Sequence, residues 1–165
     1  MQTKSSYGNK MRDRRFIAEH RGGTLKKEQH RQLIQWACDC SENVFPLLDN
    51  KIDERLKKAL TVAKEWMKGK ASVGDAREAS LKAIAVANES SDPTSIAVAR
   101  SVGHAVATAH MADHSLRSAL YALKAVKSAD KSKDAERKWQ NEQLPSDIKE
   151  LVMTARSKME TILKI

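Results

Sequence analysis

Apolar positions along this chain recur at the three- and four-residue intervals of helix faces, interrupted at regular points by capping and helix-breaking residues. Leu33, Ala37, Cys40 and Val44 form one such stripe, flanked by Trp36. Arg21-Gly22-Gly23 reads as a turn, and Thr24 stands where it can cap a helix starting at Leu25. Pro46 kinks or ends that helix, because proline lacks an amide donor and its ring clashes with the preceding turn. Asp53 opens a second helix with Leu56, Ala59, Leu60, Ala63, Trp66 and Met67 on one face, and Gly69 stops it. Ser72 and Asp75 form a capping box for a third, whose face is Val73, Ala76, Ser80, Ala83, Ile84 and Ala87.

Asp92-Pro93 is the start signal of a fourth helix, with aspartate as cap and proline at the first position. Uninterrupted, it would run to about Ser128, which is long for a globular helix. Asp113 offers a new cap, so a break is predicted near Met111–Asp113. Leu116, Ala119, Leu120, Leu123 and Val126 then line a fifth helix. Residues 131–134 read as a loop, and Ala135–Glu142 as a short helix carrying Trp139. Pro145 starts the last helix, with Ile148, Leu151, Val152, Ala155, Met159 and Ile162 on its face. No alternating β pattern and no glycine-rich phosphate loop interrupts this series. The expected class is all-α: a bundle of about six to seven antiparallel helices over residues 16–165, preceded by a flexible basic arm over residues 1–15.

Composition changes this picture in one respect. Aromatic residues are only 4% of the 165 residues, and 17 of the 22 alanines lie between Ala71 and Ala135, so small side chains must do the packing through close helix approach. There is no run of about 18 apolar residues to span a membrane, and no apolar h-region in the first fifteen residues. Cys38 and Cys40 lie two apart on a helix and point to nearly opposite sides, so they are expected to be reduced thiols of a cytoplasmic protein. The net charge is +9, of which residues 1–31 contribute +6, from nine Lys/Arg against three Asp/Glu. That balance permits an acidic protein or a nucleic acid as partner, although the basic residues neither repeat on one face nor alternate with aromatics.

Candidate chemistry concentrates in one segment. His104, His110 and His114 fall within eleven positions of an alanine-rich stretch. At about 100° per residue, Ile96, Ala99, Gly103, Val106, Ala107 and His110 share a stripe and His104 lies more than about 100° from its centre. A shared site would need the break to redirect His114, or a ligand from elsewhere such as His30. His110 and His114 have the spacing of a helical zinc pair, but Met111 occupies the position of the zincin glutamate. No further metal ligand stands at an identifiable spacing. No catalytic residue, metal or cofactor is expected, and His30, His104, His110 and His114 stand as candidate ligand-binding residues. The other interpretation is a tightly packed helix junction. There Gly103 admits a neighbouring helix backbone, His110 bonds orphan carbonyls at a helix end, and His114 sits neutral at a helix start.

The stretches Arg15-Phe16-Ile17-Ala18-Glu19-His20-Arg21-Gly22-Gly23-Thr24-Leu25, His30-Arg31, Trp36-Ala37, Asp39-Cys40 and Gly103-His104-Ala105-Val106-Ala107-Thr108-Ala109-His110 resemble a bacterial family called "putative immunity protein". The tail Ala135-Glu136-Arg137, Trp139-Gln140 and Leu144-Pro145 is also similar, so the resemblance covers roughly residues 15–153. The family is grouped with the immunity proteins of polymorphic toxin systems. It implies a cytoplasmic protein that binds and neutralises a cognate toxin, and it assigns no binding or catalytic role to any residue here; with no catalytic constellation in the residues, the protein is not expected to be an enzyme. Inhibitors of nucleases often present acidic surfaces. For this basic chain the expected toxin surface is therefore acidic, or the target is not a nuclease. Two alternatives stand beside it: a small nucleic-acid-binding helical module, and a histidine-based metal- or small-ligand-binding protein.

Overall fold

The computed structural model describes residues 13–49 and 51–163. Within them the chain forms a helical bundle of seven α-helices without strands. These are α1 (Lys27–Asn43), α2 (Glu54–Met67), α3 (Val73–Glu89), α4 (Pro93–Ala107), α5 (His114–Ser128), α6 (Lys133–Glu142) and α7 (Ser146–Leu163). Short connections return successive helices from α1 to α6 against one another, the arrangement of antiparallel bundles, and α7 packs on α5 and α1. Residues 1–12 of the expected arm, and the side chain of Ile162, lie outside the described residues. No helix among the described residues is long and apolar enough to cross a membrane.

Local chemistry sets most helix ends. Asp53 accepts from the Arg55 amide at the start of α2. At the start of α3, Ser72 and Asp75 exchange bonds of 2.9 and 3.0 Å, satisfying two orphan amides. Asp92 accepts from the Ser95 amide ahead of Pro93. The α2 terminus closes on Gly69 at φ +73°, with Gly69 N–H bonded to Trp66 and Lys70 N–H to Glu65, a Schellman motif that needs a left-handed residue. α1 stops at Asn43, and Pro46 sits in the 3-10 turn Phe45–Leu48 that follows.

Three expectations are corrected. Thr24 does not cap α1, which starts at Lys27. Leu25 is extended instead: its N–H bonds Ile17 and its C=O accepts from Glu19, in a bridge that ties residues 17–19 to the start of α1. Gln29 accepts from the Lys26 amide in place of a short capping side chain. Val73 is exposed, and Ala79 is buried on α3 instead. Ser132 caps α6, which therefore starts at Lys133 rather than Ala135.

α1 and α4 carry the centre of the bundle. α4 packs on α5, α3, α1 and α2. One core cluster joins Leu33, Trp36 and Cys40 of α1 to Leu116 of α5 and to Ile148 and Val152 of α7. The other joins Ile34, Ala37 and Cys38 of α1 to Leu56 and Leu60 of α2, Ala83 of α3, and Val102 and Val106 of α4. α1 is thus buried on two sides, which a single apolar stripe does not describe. Cys38 and Cys40 enter opposite clusters as free thiols. Fully buried alanines, among them Ala37, Ala59, Ala83, Ala99, Ala105, Ala119 and Ala122, let the helices approach closely. Ser41, Ser101 and Ser118 meet where α1, α4 and α5 cross. Ser41 Oγ lies 2.8 Å from Ser101 Oγ, and Ser101 and Ser118 each donate to the other's carbonyl at 2.8 and 2.9 Å. Every hydroxyl there has a partner, as burial requires.

Candidate functional site

The joint between α4 and α5 occupies residues 108–113, around the predicted break. α4 ends at Ala107. The return runs through tight turns, with Met111 N–H bonded to Ala107, His114 N–H to Met111 and Leu116 N–H to Asp113. Asp113 holds the cap position in helical backbone conformation (φ −68°, ψ −14°) and makes no capping bond through its side chain. An N-cap residue normally needs an extended backbone to reach the following amides, so the expected aspartate cap is not used.

This joint brings together two of the four candidate histidines. His104 faces away from the His110 stripe, as its rotation on α4 predicts, and the turn carries His114 back onto it. Their Nδ1 atoms are 2.9 Å apart, and the rings stack with centroids 5.1 Å apart. That separation fits a hydrogen bond; two imidazoles on one tetrahedral metal would place their nitrogens about 3.3 Å apart. Among the described residues no group of three or more His, Cys, Asp or Glu is placed to hold a metal ion. Tyr121, two α5 turns further on, stacks on His104 with rings 5.3 Å apart and nearly parallel at 4°. Burial, reinforced by the nearby His114, Arg117 and Arg100, pushes the His104 imidazole down to about 3, so it is neutral at physiological pH.

His30 and His110 go elsewhere. His30, buried on α1, reaches the α4 C-cap: its Nε2 lies 2.6 Å from the Thr108 carbonyl. A carbonyl only accepts, so Nε2 carries the proton. The ring packs on Trp66 at 4.8 Å, and burial lowers its proton affinity. The Thr108 carbonyl at this helix end is therefore satisfied by His30. His110 instead takes a 2.8 Å bond at Nε2 from Arg77 Nη2 of α3. Gly103 meets α3 as expected. A Cβ there would stand 3.2 Å from Ile84 Cγ1 and 3.6 Å from the Ser80 carbonyl, while Ser80 Oγ donates to the Gly103 carbonyl at 2.9 Å.

Several contributors were not singled out in the sequence. The outer face of this helix pair is basic: Arg100 lies 5.9 Å and Lys124 Nζ 5.2 Å from the Tyr121 ring centroid. Arg117 is exposed beside them. Residues 93–107 and 114–128 contain no Asp or Glu at all, which was the available signal. By contrast, the groove of ≈ 440 Å³ between α2 and α3 is walled by both signs, Arg55, Lys58 and Lys82 alternating with Glu54, Asp75 and Glu78. A second unforeseen cluster lies where α1, α6 and α7 meet. Trp36 Nε1 donates to the Gln140 carbonyl at 2.8 Å, and the Gln140 side chain donates to the Ala119 carbonyl and accepts from Arg156. The Arg156 guanidinium, on a residue only 4% exposed, lies over the Trp36 ring at 5.6 Å, and burial lowers its proton affinity. With Ala119 on α5, this cluster welds four helices and is structural. The thiols are equally enclosed. Burial pushes Cys38 up to about 12 and Cys40 well above its ordinary value, so neither is a nucleophile at neutral pH.

The model of the family described as "Imm-5 like putative immunity protein" matches residues 23–147. This stretch runs from the turn before α1 into the start of α7, and it includes the whole α4–α5 joint. No curated protein and no solved structure matches the chain.

Proposed function

Because the chain belongs to the family of Imm-5 like putative immunity proteins, we propose that it binds a cognate toxin protein and neutralises it by occupancy rather than by chemistry. The observation that carries this reading is the family match, which spans most of the chain. The structure supplies two supports. The four candidate histidines have defined packing partners, and both thiols are buried in their protonated form. Such contacts favour a rigid scaffold, which suits a preorganised binding surface. The free thiols fit action in the reducing cytoplasm. With a net charge of +9, the complementary toxin surface is acidic. The test is co-purification: the tagged chain, coexpressed with the product of the adjacent gene, retains that product through a 0.3 M salt wash. Recovery of the tagged chain alone from a lysate that contains the soluble product contradicts the proposal.

The acid-free α4–α5 face favours one second reading, a nucleic-acid-binding module. It predicts retardation of DNA or RNA that collapses steeply with salt as counterions are released. Mobility unchanged at low salt removes it.

A further inference from the structure

We propose that the outward face shared by α3, α4 and α5 is the docking surface for an acidic patch on the cognate toxin, with Arg77, Arg100, Arg117 and Lys124 as its cationic contacts and Leu81 as its apolar anchor. The inference rests on the immunity reading and adds to it the surface and the chemistry of the partner.

Three independent observations converge on this face. The first is its sign. α4 and α5 contribute Arg100, Arg117, Lys124 and Lys127 and not one carboxylate, while acidic residues are distributed over α2, α3, α6 and α7. Of the two aspartates that flank these helices, Asp92 is engaged with Ser95, and Asp113 stands at the α5 start. Charge of one sign on adjoining helices steers an oppositely charged protein and excludes like-charged ones. The second is preorganisation. Tyr121 lies flat on His104, which is itself bonded to His114, and Arg100 and Lys124 are drawn over the Tyr121 ring. Arg77 is held by His110. Long cationic side chains anchored this way lose less conformational freedom on binding than free ones. The third is Leu81, a leucine 68% exposed on α3, one turn beyond Arg77 and therefore on the same stripe. An exposed apolar residue beside an anchored arginine has the composition of a protein interface, where Arg is enriched and a few apolar anchors carry the energy. A single-stranded nucleic acid would look here for an open aromatic face. The Tyr121 ring is already covered by His104, Arg100 and Lys124.

The test compares two triple variants carrying the same change in net charge. One is Arg100→Glu/Arg117→Glu/Lys124→Glu on the proposed face. The other is Lys58→Glu/Lys138→Glu/Lys149→Glu on α2, α6 and α7. Binding of each to the purified adjacent-gene product is measured by calorimetry, with circular dichroism confirming the fold. If the first triple disturbs folding, Arg100→Gln/Arg117→Gln/Lys124→Gln replaces it. The expected result is a loss of affinity of at least about 100-fold for the first triple, or about 10-fold for its glutamine version, and less than about 3-fold for the second. Leu81→Ala is expected to weaken binding about 10-fold. Tight binding by wild type that the first triple and Leu81→Ala leave intact overturns the surface assignment while leaving the immunity reading standing. Failure of wild type to bind the product overturns both. A salt-sensitive shift of DNA or RNA that the first triple abolishes, with toxin binding unaffected, assigns the face to nucleic acid and also overturns the proposal.

Discussion

His104 offers the sharpest physical test of the joint, because its buried imidazole couples packing to pH. In the unfolded chain this side chain takes up a proton near pH ~6.5. In the native protein burial beside His114, Arg117 and Arg100 delays protonation to about 3. Below pH ~6.5 the unfolded state therefore binds a proton that the native state refuses. The stabilising contribution is complete above that pH and is lost progressively as pH falls toward 3. Each pH unit in this window costs ~1.4 kcal/mol, so moving from pH 7.5 to 5 removes about 2 kcal/mol. That is a sizeable part of the ~5–15 kcal/mol total of an ordinary domain. Urea unfolding at both pH values, on wild type and His104→Gln, isolates the effect. Glutamine cannot titrate, and His30 and the carboxylates are common to both proteins. Wild type should lose about 2 kcal/mol more than the variant on acidification, and the His104 ring should show no imidazole titration by NMR between pH 5 and 8. Equal losses in the two proteins, or a His104 titration near pH 6.5, would refute a buried neutral imidazole.

Replacing Gly103 by leucine forces a side chain into the space held by Ile84 and the Ser80 carbonyl; chemical denaturation should show a loss of ~1–3 kcal/mol, and unchanged stability would mean that α3 and α4 do not meet there. His30→Phe keeps a ring against Trp66 but strips the donor from the Thr108 carbonyl, on a fully buried residue. The expected cost is ~1–3 kcal/mol in the same assay, whereas a neutral result would show that water reaches that carbonyl. Cys38 and Cys40 should resist a thiol-reactive disulfide reagent at pH 8 in the native protein and both react after unfolding, since burial keeps them protonated. Rapid labelling of the folded chain contradicts their burial.

Much of this fold is legible in the sequence wherever one residue decides the outcome with its near neighbours. Asp53, the Ser72–Asp75 box, Asp92-Pro93 and Gly69 act within a few residues, and each starts or ends its helix where expected. The start of α1 was misplaced because Leu25 pairs with residues 17 and 19, a non-local bond that outcompetes the Thr24 cap. The candidate site divides along the same line. Rotation about α4 separates His104 from His110, and rotation is a property of one helix. The meeting of His104 with His114 depends on six residues of turn, and the stack on Tyr121 depends on how α5 packs after that turn. His30 finds Thr108 across 78 positions of sequence. The buried Ser41–Ser101–Ser118 contact gave no warning, since each serine sits singly in an apolar stripe. The basic face did leave a trace. His114, Arg117, Tyr121 and Lys124 lie on one stripe of α5, and no acid occurs in α4 or α5. The expectation that basic residues neither repeat on one face nor alternate with aromatics fails on this stripe.

Survival of the host is the most direct test of the central claim. Cells induced to make the product of the adjacent gene are scored for colony formation with and without this chain coexpressed, alongside its Arg100→Glu/Arg117→Glu/Lys124→Glu variant at equal soluble level. Full rescue by the wild-type chain and loss of rescue by the variant are predicted. Cell death that wild-type protein, soluble and folded, does nothing to prevent would contradict the account.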